Sequence, residues 1–224
     1  MLRKKALMSW SSGKDSAWAL YKIQQSKEYD LVGLFCTVNK KYDRVAMHGV
    51  RVELLQKQAK SIGLPLEIIE LPYPCSNEEY EKIMGQFVES VKQQNIEYFI
   101  FGDLFLEDVR RYREEKLKDT GIKPLFPLWD FQTDKLSQEM IKSGLKTIIT
   151  CINPKQMPKQ LVGKEFAESF LNSLPENVDH CGENGEFHSF VFDGPMFKEK
   201  IEICVGDIVE RDGFIFADIL PKSS

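Results

Sequence analysis

The sequence has no long apolar run, no CxxC pair and no excess of basic charge. Its 224 residues carry 30 Lys and Arg against 34 Asp and Glu, a net charge of -4, which disfavours a non-specific nucleic-acid binder. No stretch reaches the roughly 20 apolar residues of a membrane span. The apolar part of "MLRKKALMSW" is too short for a signal peptide. We therefore expect neither a nucleic-acid nor a membrane partner.

Cysteine is scarce, with five widely spaced residues: Cys36, Cys75, Cys151, Cys181 and Cys204. The odd number and the spacing argue against a disulfide framework and favour a reducing, cytoplasmic location. His180, Cys181 and His188 lie close in sequence, but no second pair of close ligands accompanies them, which disfavours zinc. Cys36 and Cys151 end apolar runs, where we expect small core residues rather than nucleophiles.

Apolar runs alternate with helical periodicity through the first half of the chain. We predict strands at "KALMSW", "DLVGLFCTV", "LEIIEL" and "EYFIFGDL". Between them we predict helices over 15–26 and 50–62, and a helix capped by Asn77 that runs to about residue 94. Strands that alternate with helices indicate a parallel sheet with crossover helices.

The pattern changes at "KPLFPLW" (123–129), where two prolines bracket a predicted linker. Helices are predicted over 134–143 and 164–173, with a strand over 145–152 between them. The tail contains the β-rich segments "EFHSFVFDG", "KIEICVG" and "GFIFADI". We therefore predict a parallel α/β domain over 1–128 and a smaller mixed α/β domain over 129–224.

The segment "SSGKDS" (11–16) follows the first predicted strand and opens a helix. Backbone N–H groups at such a helix start bind anions, and ligands of parallel sheets bind beyond the carboxyl ends of the strands. Neither the Walker pattern nor GxGxxG fits, because Asp15 follows Lys14. Lys14 supplies charge for phosphate oxygens, Asp15 can hold Mg²⁺ or cap the helix, and hydroxyls come from Ser11, Ser12 and Ser16. The plain alternative is a capped helix with a surface lysine.

This loop resembles the SGGKDS motif of the ATP pyrophosphatase (PP-loop) superfamily, with Ser12 in place of the middle glycine. "LLQKQAKSIGLPLEIIEL" (54–71), "KPLFPLW" and "CGENGEFHSFVFDGPMFKEKIEI" (181–203) further resemble the diphthine–ammonia ligase family. The resemblance runs from about residue 6 to 204. It implies a Rossmann-like (HUP-type) ATP-binding sheet and ATP with Mg²⁺. It also implies a carboxylate that attacks the α-phosphate, and ammonia that displaces AMP. In that family the carboxylate belongs to a modified histidine on a translation factor.

The resemblance also implies site residues. The nucleotide is expected on residues 11–16, near Thr37 of strand two and at Gly102 and Asp103 beyond strand four. Asp103 as a helix cap is the alternative. The catalytic candidates are Lys14, Asp15, Arg110, Glu183 and Glu186. We expect the loop with both glutamates to face the carboxyl edge of the sheet opposite Gly13 and Lys14. Glu186 should matter more to the acceptor than Glu183, and Lys14 should be exposed without ligand.

The chain departs from the family pattern after strand four. Val109 stands where the family has glutamine, and Arg110 takes the first arginine position. The second arginine falls at Arg111 or Arg113, and a solvated charged helix is the plain alternative. The ATP chemistry therefore transfers better than the acceptor identity. His48 is either an active-site residue or the opening of a helix.

Three other functions stay open at this stage. These are a non-catalytic ATP- or AMP-sensing module, a PP-loop enzyme that acts on tRNA, and a ligase for another small carboxylate. The absence of a CxxC pair disfavours tRNA thiolation. With no glutaminase domain, ammonia is expected free or from a partner. The sequence leaves open whether the chain forms a homo-oligomer.

Overall fold

Parallel strands build the first sheet of the computed structural model, which describes residues 3–45 and 48–222. Its parallel strands are β1 (Lys4–Ser9), β2 (Tyr29–Asn39), β4 (Leu66–Leu71), β5 (Tyr98–Ile100) and β6 (Lys123–Leu125), with β3 (Arg44–Val45) antiparallel to the end of β2. The parallel order is β4-β2-β1-β5-β6. From β1 the chain adds β2 and β4 on one side and then β5 and β6 on the other side of the sheet. The resulting topological switch point lies between β1 and β5, where ligands of such sheets bind.

Helices cover both faces of this sheet. Helices α1 (Lys14–Ser26) and α2 (Val52–Ile62) cover one face, and α3 (Asn77–Lys92) and α4 (Glu107–Leu117) cover the other. Successive residues of a strand point to opposite faces. Accordingly Leu7 packs in the cluster of α3 and α4, whereas Met8 packs in the cluster of α1 and α2. The predicted parallel α/β sheet is confirmed.

The second half forms an antiparallel sheet in the order β8-β7-β10-β9. Its strands are β7 (Lys146–Ile152), β8 (Phe187–Asp193), β9 (Ile203–Arg211) and β10 (Phe214–Pro221). Helix α5 (Thr133–Lys142), a 3-10 turn (Lys159–Leu161) and the short α6 (Glu168–Leu171) complete it. One buried cluster contains Leu20 and Leu55 of the first half together with Ile149 and Phe190 of the second. The two halves therefore share a hydrophobic core.

Three local predictions are wrong. The predicted helix over 164–173 is reduced to Glu168–Leu171, because the chain before it bonds to β7 through Ile149 N–H to Lys164 O (2.9 Å) and Phe166 N–H to Thr147 O (2.8 Å). The start of the predicted linker forms β6, an edge strand that tolerates Pro124. Ser76, rather than Asn77, caps α3 in a capping box with Glu79.

Among the described residues, no helix is both long and apolar enough to span a membrane.

Candidate functional site

The phosphate-binding candidate lies at the switch point, between the end of β1 and the start of α1. Gly13 precedes α1 in an extended conformation (φ -90°, ψ 174°), and no side chain caps the helix there. Ser16 Oγ donates to Gly13 O at 3.0 Å, and Ser11 Oγ lies 3.1 Å from Ser16 Oγ. The loop therefore presents hydroxyls and backbone N–H groups at a helix N-terminus, the arrangement that binds anions.

Ser12 and Gly102 show the steric limits of this loop. Ser12 has φ 71°, a left-handed conformation that favours glycine, which explains why the related motif has glycine here. A Cβ on Gly102 would lie 2.8 Å from the backbone of Asp15 and Ser16. Gly102 thus lets the end of β5 approach the start of α1, so that the two sides of the switch point meet.

A cavity of about 760 Å³ opens at this point. Its volume is in the range of small-molecule sites. The predicted nucleotide and catalytic residues that line it are Ser11, Lys14, Asp15, Ser16, Thr37, Gly102, Asp103 and Glu183. Ser12, Gly13, Arg110 and Glu186 are not part of the lining. The structure thus brings predicted site residues from Ser11 to Glu183 together around one space.

The expectation that Lys14 is exposed without ligand is wrong, because its side chain is only 2% exposed. Its Nζ lies 2.8 and 3.0 Å from the two carboxylate oxygens of Asp15 and donates to the backbone carbonyl of Cys181. It also lies 5.1 Å from the centre of the Phe187 ring. Burial is the largest single influence on the pKa of Lys14 and acts to lower it, but the charge and hydrogen bonds of Asp15, with Cys181 and Glu183 nearby, together raise the pKa above its ordinary value. The lysine is a buried cation fixed by both halves of the chain.

The loop over 181–186 faces the carboxyl edge of the first sheet, as predicted. Glu183 Oε1 accepts the backbone N–H of Leu104 at 2.8 Å, beyond the end of β5. Burial, and then the charge of Asp15, raise the pKa of Glu183 from 4.5 to about 7. A carboxyl group with such a pKa can hold or release a proton near neutral pH.

Glu186 has a different environment from the one we expected. Its side chain is 1% exposed, and Oε1 accepts from Asp179 N–H at 3.0 Å and Asn184 Nδ2 at 3.1 Å. These bonds tie the two ends of the loop together. Glu186 thus bonds within the loop while Glu183 lines the cavity. The expected ranking of the two glutamates in acceptor turnover stays a prediction, and this placement favours Glu183 as the residue nearer a ligand.

Comparison with known proteins gives the family. The diphthamide synthase N-terminal domain matches residues 4–124, and the diphthamide synthase C-terminal domain matches residues 132–218. This chain belongs to the diphthamide synthase family. Curated relatives named diphthine–ammonia ligase include those of Danio rerio (32% identical over 176 residues, 72% of this chain and 69% of the relative) and Mus musculus (31% over 163 residues, 70% and 61%). The Bos taurus protein is 30% identical over 151 residues, 65% of this chain. The matches cover 56% of the bovine and 61% of the mouse protein.

The arginine candidates of this diphthamide synthase relative separate in the structure. Arg110 pairs with Glu114 (2.8 Å) on the surface of α4 and stacks 4.6 Å from the Trp129 ring, outside the cavity lining. Arg113 lines the cavity and pairs with Asp103 at 2.6 Å. Asp103 therefore serves as an ion-pair partner of α4. In the sequence, the only signal for Arg113 is that it is one of two alternative positions, with Arg111, for the second arginine of the family pattern.

Two histidines complete the cavity wall of this family member. His48 Nδ1 lies 2.9 Å from Ser189 O, and the rings of His48 and His188 are 4.8 Å apart. Both line the cavity, so His48 lies at the site. The sequence predicts a strand at 187–189 and offers His188 as a disfavoured zinc ligand. The contact between β8 and the loop over 11–14 instead places His188 and Ser189 in the cavity wall.

Cys36 and Cys151 have the environment of core residues, because both side chains are buried. Burial raises the thiol pKa of both Cys36 and Cys151 to about 12. Such thiols carry no thiolate at neutral pH and are poor nucleophiles. Cys36 contributes to the cavity lining beside Thr37, where the nucleotide is expected.

Proposed function

We propose that this chain is an ATP-dependent amide ligase that activates a carboxylate by adenylation and transfers ammonia to it. The observation that carries this proposal is that the phosphate loop and the acidic loop of the second half line the same cavity. Four residues of the loop (Ser11, Lys14, Asp15 and Ser16) line it together with Glu183, although Glu183 is far from them in sequence. The relatives named diphthine–ammonia ligase support the same chemistry.

In the first step, an oxygen of the acceptor carboxylate attacks the α-phosphorus of ATP. The bond between the α-phosphorus and its bridging oxygen breaks, and pyrophosphate leaves. The N-terminus of α1, the hydroxyls of Ser11 and Ser16 and the charge of Lys14 face the phosphate chain. Together they stabilise the negative charge that grows on the leaving group.

In the second step, the nitrogen of ammonia attacks the acyl carbon, and the carbon–oxygen bond to AMP breaks. The nitrogen must lose a proton on the way to the amide. Glu183 acts as the general base that takes up this proton, because it lines the cavity and its pKa is raised to about 7. Ammonia reaches the cavity free or from a partner protein.

Mg²⁺ fits this site through Asp15. Its carboxylate lines the cavity with 26% of the side chain exposed and pairs with Lys14 of the same loop, so Mg²⁺ there would share the carboxylate with Lys14. Asp103 instead pairs with Arg113 of α4. Magnesium in nucleotide sites is commonly held by one or two carboxylates together with phosphate oxygens. Bound there, it would neutralise phosphate charge beside Lys14.

The acceptor proposed first is diphthine, the carboxylate in the relatives' name, on a translation factor. The changes at Val109 and Arg110 leave another carboxylate as the second candidate. Such a change of acceptor would not alter the nucleotide chemistry.

The test measures ATP–pyrophosphate exchange with a panel of carboxylates that includes diphthine-bearing factor, and identifies the spent nucleotide by chromatography. We expect acceptor-dependent exchange and AMP as the product. Lys14→Met should abolish the exchange, and Lys27→Met, at the far end of α1, is the matched lysine control that should retain it. ADP as the main product would refute the proposal, and ATP binding without pyrophosphate release would indicate a sensing module.

A further inference from the structure

Strand β8 lies at the edge of the second sheet, and its outer edge docks on the phosphate loop. Val191 N–H donates to Ser12 O at 3.0 Å, and Lys14 N–H donates to Ser189 Oγ at 3.2 Å. Ser189 O also contacts His48 Nδ1 at 2.9 Å. A strand from the second half thus forms one wall of the loop that faces the nucleotide.

Two polar groups on this wall have capacity for a ligand. Within the part of the chain that the structure describes, His188 Nε2 is buried and has no hydrogen-bond partner. Buried polar atoms nearly always have a hydrogen-bond partner, so a buried polar atom without one in a cavity wall indicates a missing ligand. The Ser189 hydroxyl oxygen accepts from Lys14 N–H, which leaves its proton to donate. Both residues line the cavity.

We propose that His188 and Ser189 of β8 bind the β- and γ-phosphates of ATP and then hold the departing pyrophosphate. This inference rests on the proposed function and names the groups that complete its phosphate site. Ser189 Oγ–H and His188 Nε2–H donate to phosphate oxygens. His48 is a positioning residue, since its ring packs against His188 and lies beside the loop, where a Cβ on Gly13 would meet its Cε1 at 2.7 Å.

The local charge favours phosphate over ammonium on this wall. Burial, together with the positive charge of Lys14, lowers the pKa of His48 to about 4 and, with His48 itself, that of His188 to about 3. Both rings are therefore neutral hydrogen-bonding groups within the positive field of Lys14 and of the α1 N-terminus. That field attracts an anion and repels a cation.

The test is calorimetric titration of the full chain with three probes: ATP, sodium pyrophosphate and AMP. Ser189→Ala and His188→Leu should each weaken ATP and pyrophosphate binding about 10-fold, the size expected for losing a hydrogen bond to a charged group. AMP affinity should stay within about twofold, because AMP lacks the phosphates that this wall contacts. His188→Gln, whose amide nitrogen falls near Nε2, should restore most of the lost affinity.

His180→Gln is the matched control, since His180 lies outside the cavity lining, and it should leave all three affinities unchanged. Equal losses for ATP and AMP would overturn the inference and make the wall merely structural. Unchanged ATP binding in Ser189→Ala and His188→Leu would also overturn it. Ser189→Ala removes one oxygen atom and carries the test if His188→Leu does not fold. A wild-type chain that binds neither ATP nor pyrophosphate refutes the proposed function itself.

Discussion

Glu183→Gln replaces a half-buried carboxyl group by a neutral amide of the same shape, and we expect it to stabilise the protein at alkaline pH. Burial and Asp15 raise the pKa of Glu183 from 4.5 to about 7. Between these two values the folded chain keeps a proton that the unfolded chain has released. The folded state therefore binds more protons, and the free energy of unfolding falls as the pH rises through this window. Above it, the loss is complete and constant.

The magnitude follows from the size of the pKa shift. Each pKa unit corresponds to about 1.4 kcal/mol, and partial solvent access at the cavity reduces the total to about 2–3 kcal/mol. The glutamine keeps an oxygen to accept the Leu104 N–H, so no hydrogen bond is lost. We therefore expect the variant to match wild type at pH 4 and to exceed it by about 2–3 kcal/mol at pH 8.

The assay is urea unfolding, followed by the fluorescence of the three tryptophans, at intervals from pH 4 to pH 8. Glu176→Gln is the matched control, because that side chain is exposed in the same half of the chain. Its stability curve should run parallel to wild type. A Glu183→Gln curve that also runs parallel, or a variant less stable than wild type at pH 8, would refute the assignment of a half-buried carboxyl group that holds a proton near neutral pH. Acceptor-dependent amide formation should fall about 100-fold or more in the same variant, because proton transfer is lost.

Two further substitutions test the loop that follows β1. Lys14→Met should reduce ATP turnover by about 100-fold or more. It should also lower the free energy of unfolding by about 2–3 kcal/mol, because it leaves the Asp15 carboxylate without its cation. A variant as stable in urea as wild type would contradict the buried ion pair. Ser12→Gly should stabilise the fold by about 1 kcal/mol, since it relieves a left-handed serine (φ 71°) and removes a buried hydroxyl that has no partner among the described residues. A lower melting temperature for Ser12→Gly would show that the hydroxyl makes a stabilising contact.

The parallel sheet is predictable from the sequence because its signals are local. The run "LEIIEL" coincides with β4, and the periodicity of α1 and α2 gives their bounds within two residues. Each of these elements buries its own apolar residues, so its pattern can be read in isolation. The stretch over 164–173 is different, because backbone hydrogen bonds to β7 replace the helical hydrogen bonds that its composition favours.

The roles of the two loop glutamates are not local properties. Glu183 and Glu186 lie three positions apart in a segment rich in glycine and acidic residues, and nothing in that segment ranks them. Glu183 is distinguished by Leu104, whose N–H comes from the end of β5. Glu186 is distinguished by the N–H of Asp179. Only the folded chain supplies these partners.

The burial of Lys14 has the same origin, and it connects folding with the site. Gln58 of α2 accepts from Trp10 Nε1 at 2.8 Å and donates to Ser12 O at 3.0 Å and to Val191 O at 2.6 Å. One fully buried amide thus joins the end of β1, the phosphate loop and β8. A buried amide that loses its partners costs about 1–3 kcal/mol. Separating β8 from the loop would therefore break these hydrogen bonds and, at the same time, expose Lys14. The proposed nucleotide site is complete only when the antiparallel sheet is in place, and we therefore predict that the second half contributes to ATP binding as well as to the acceptor site.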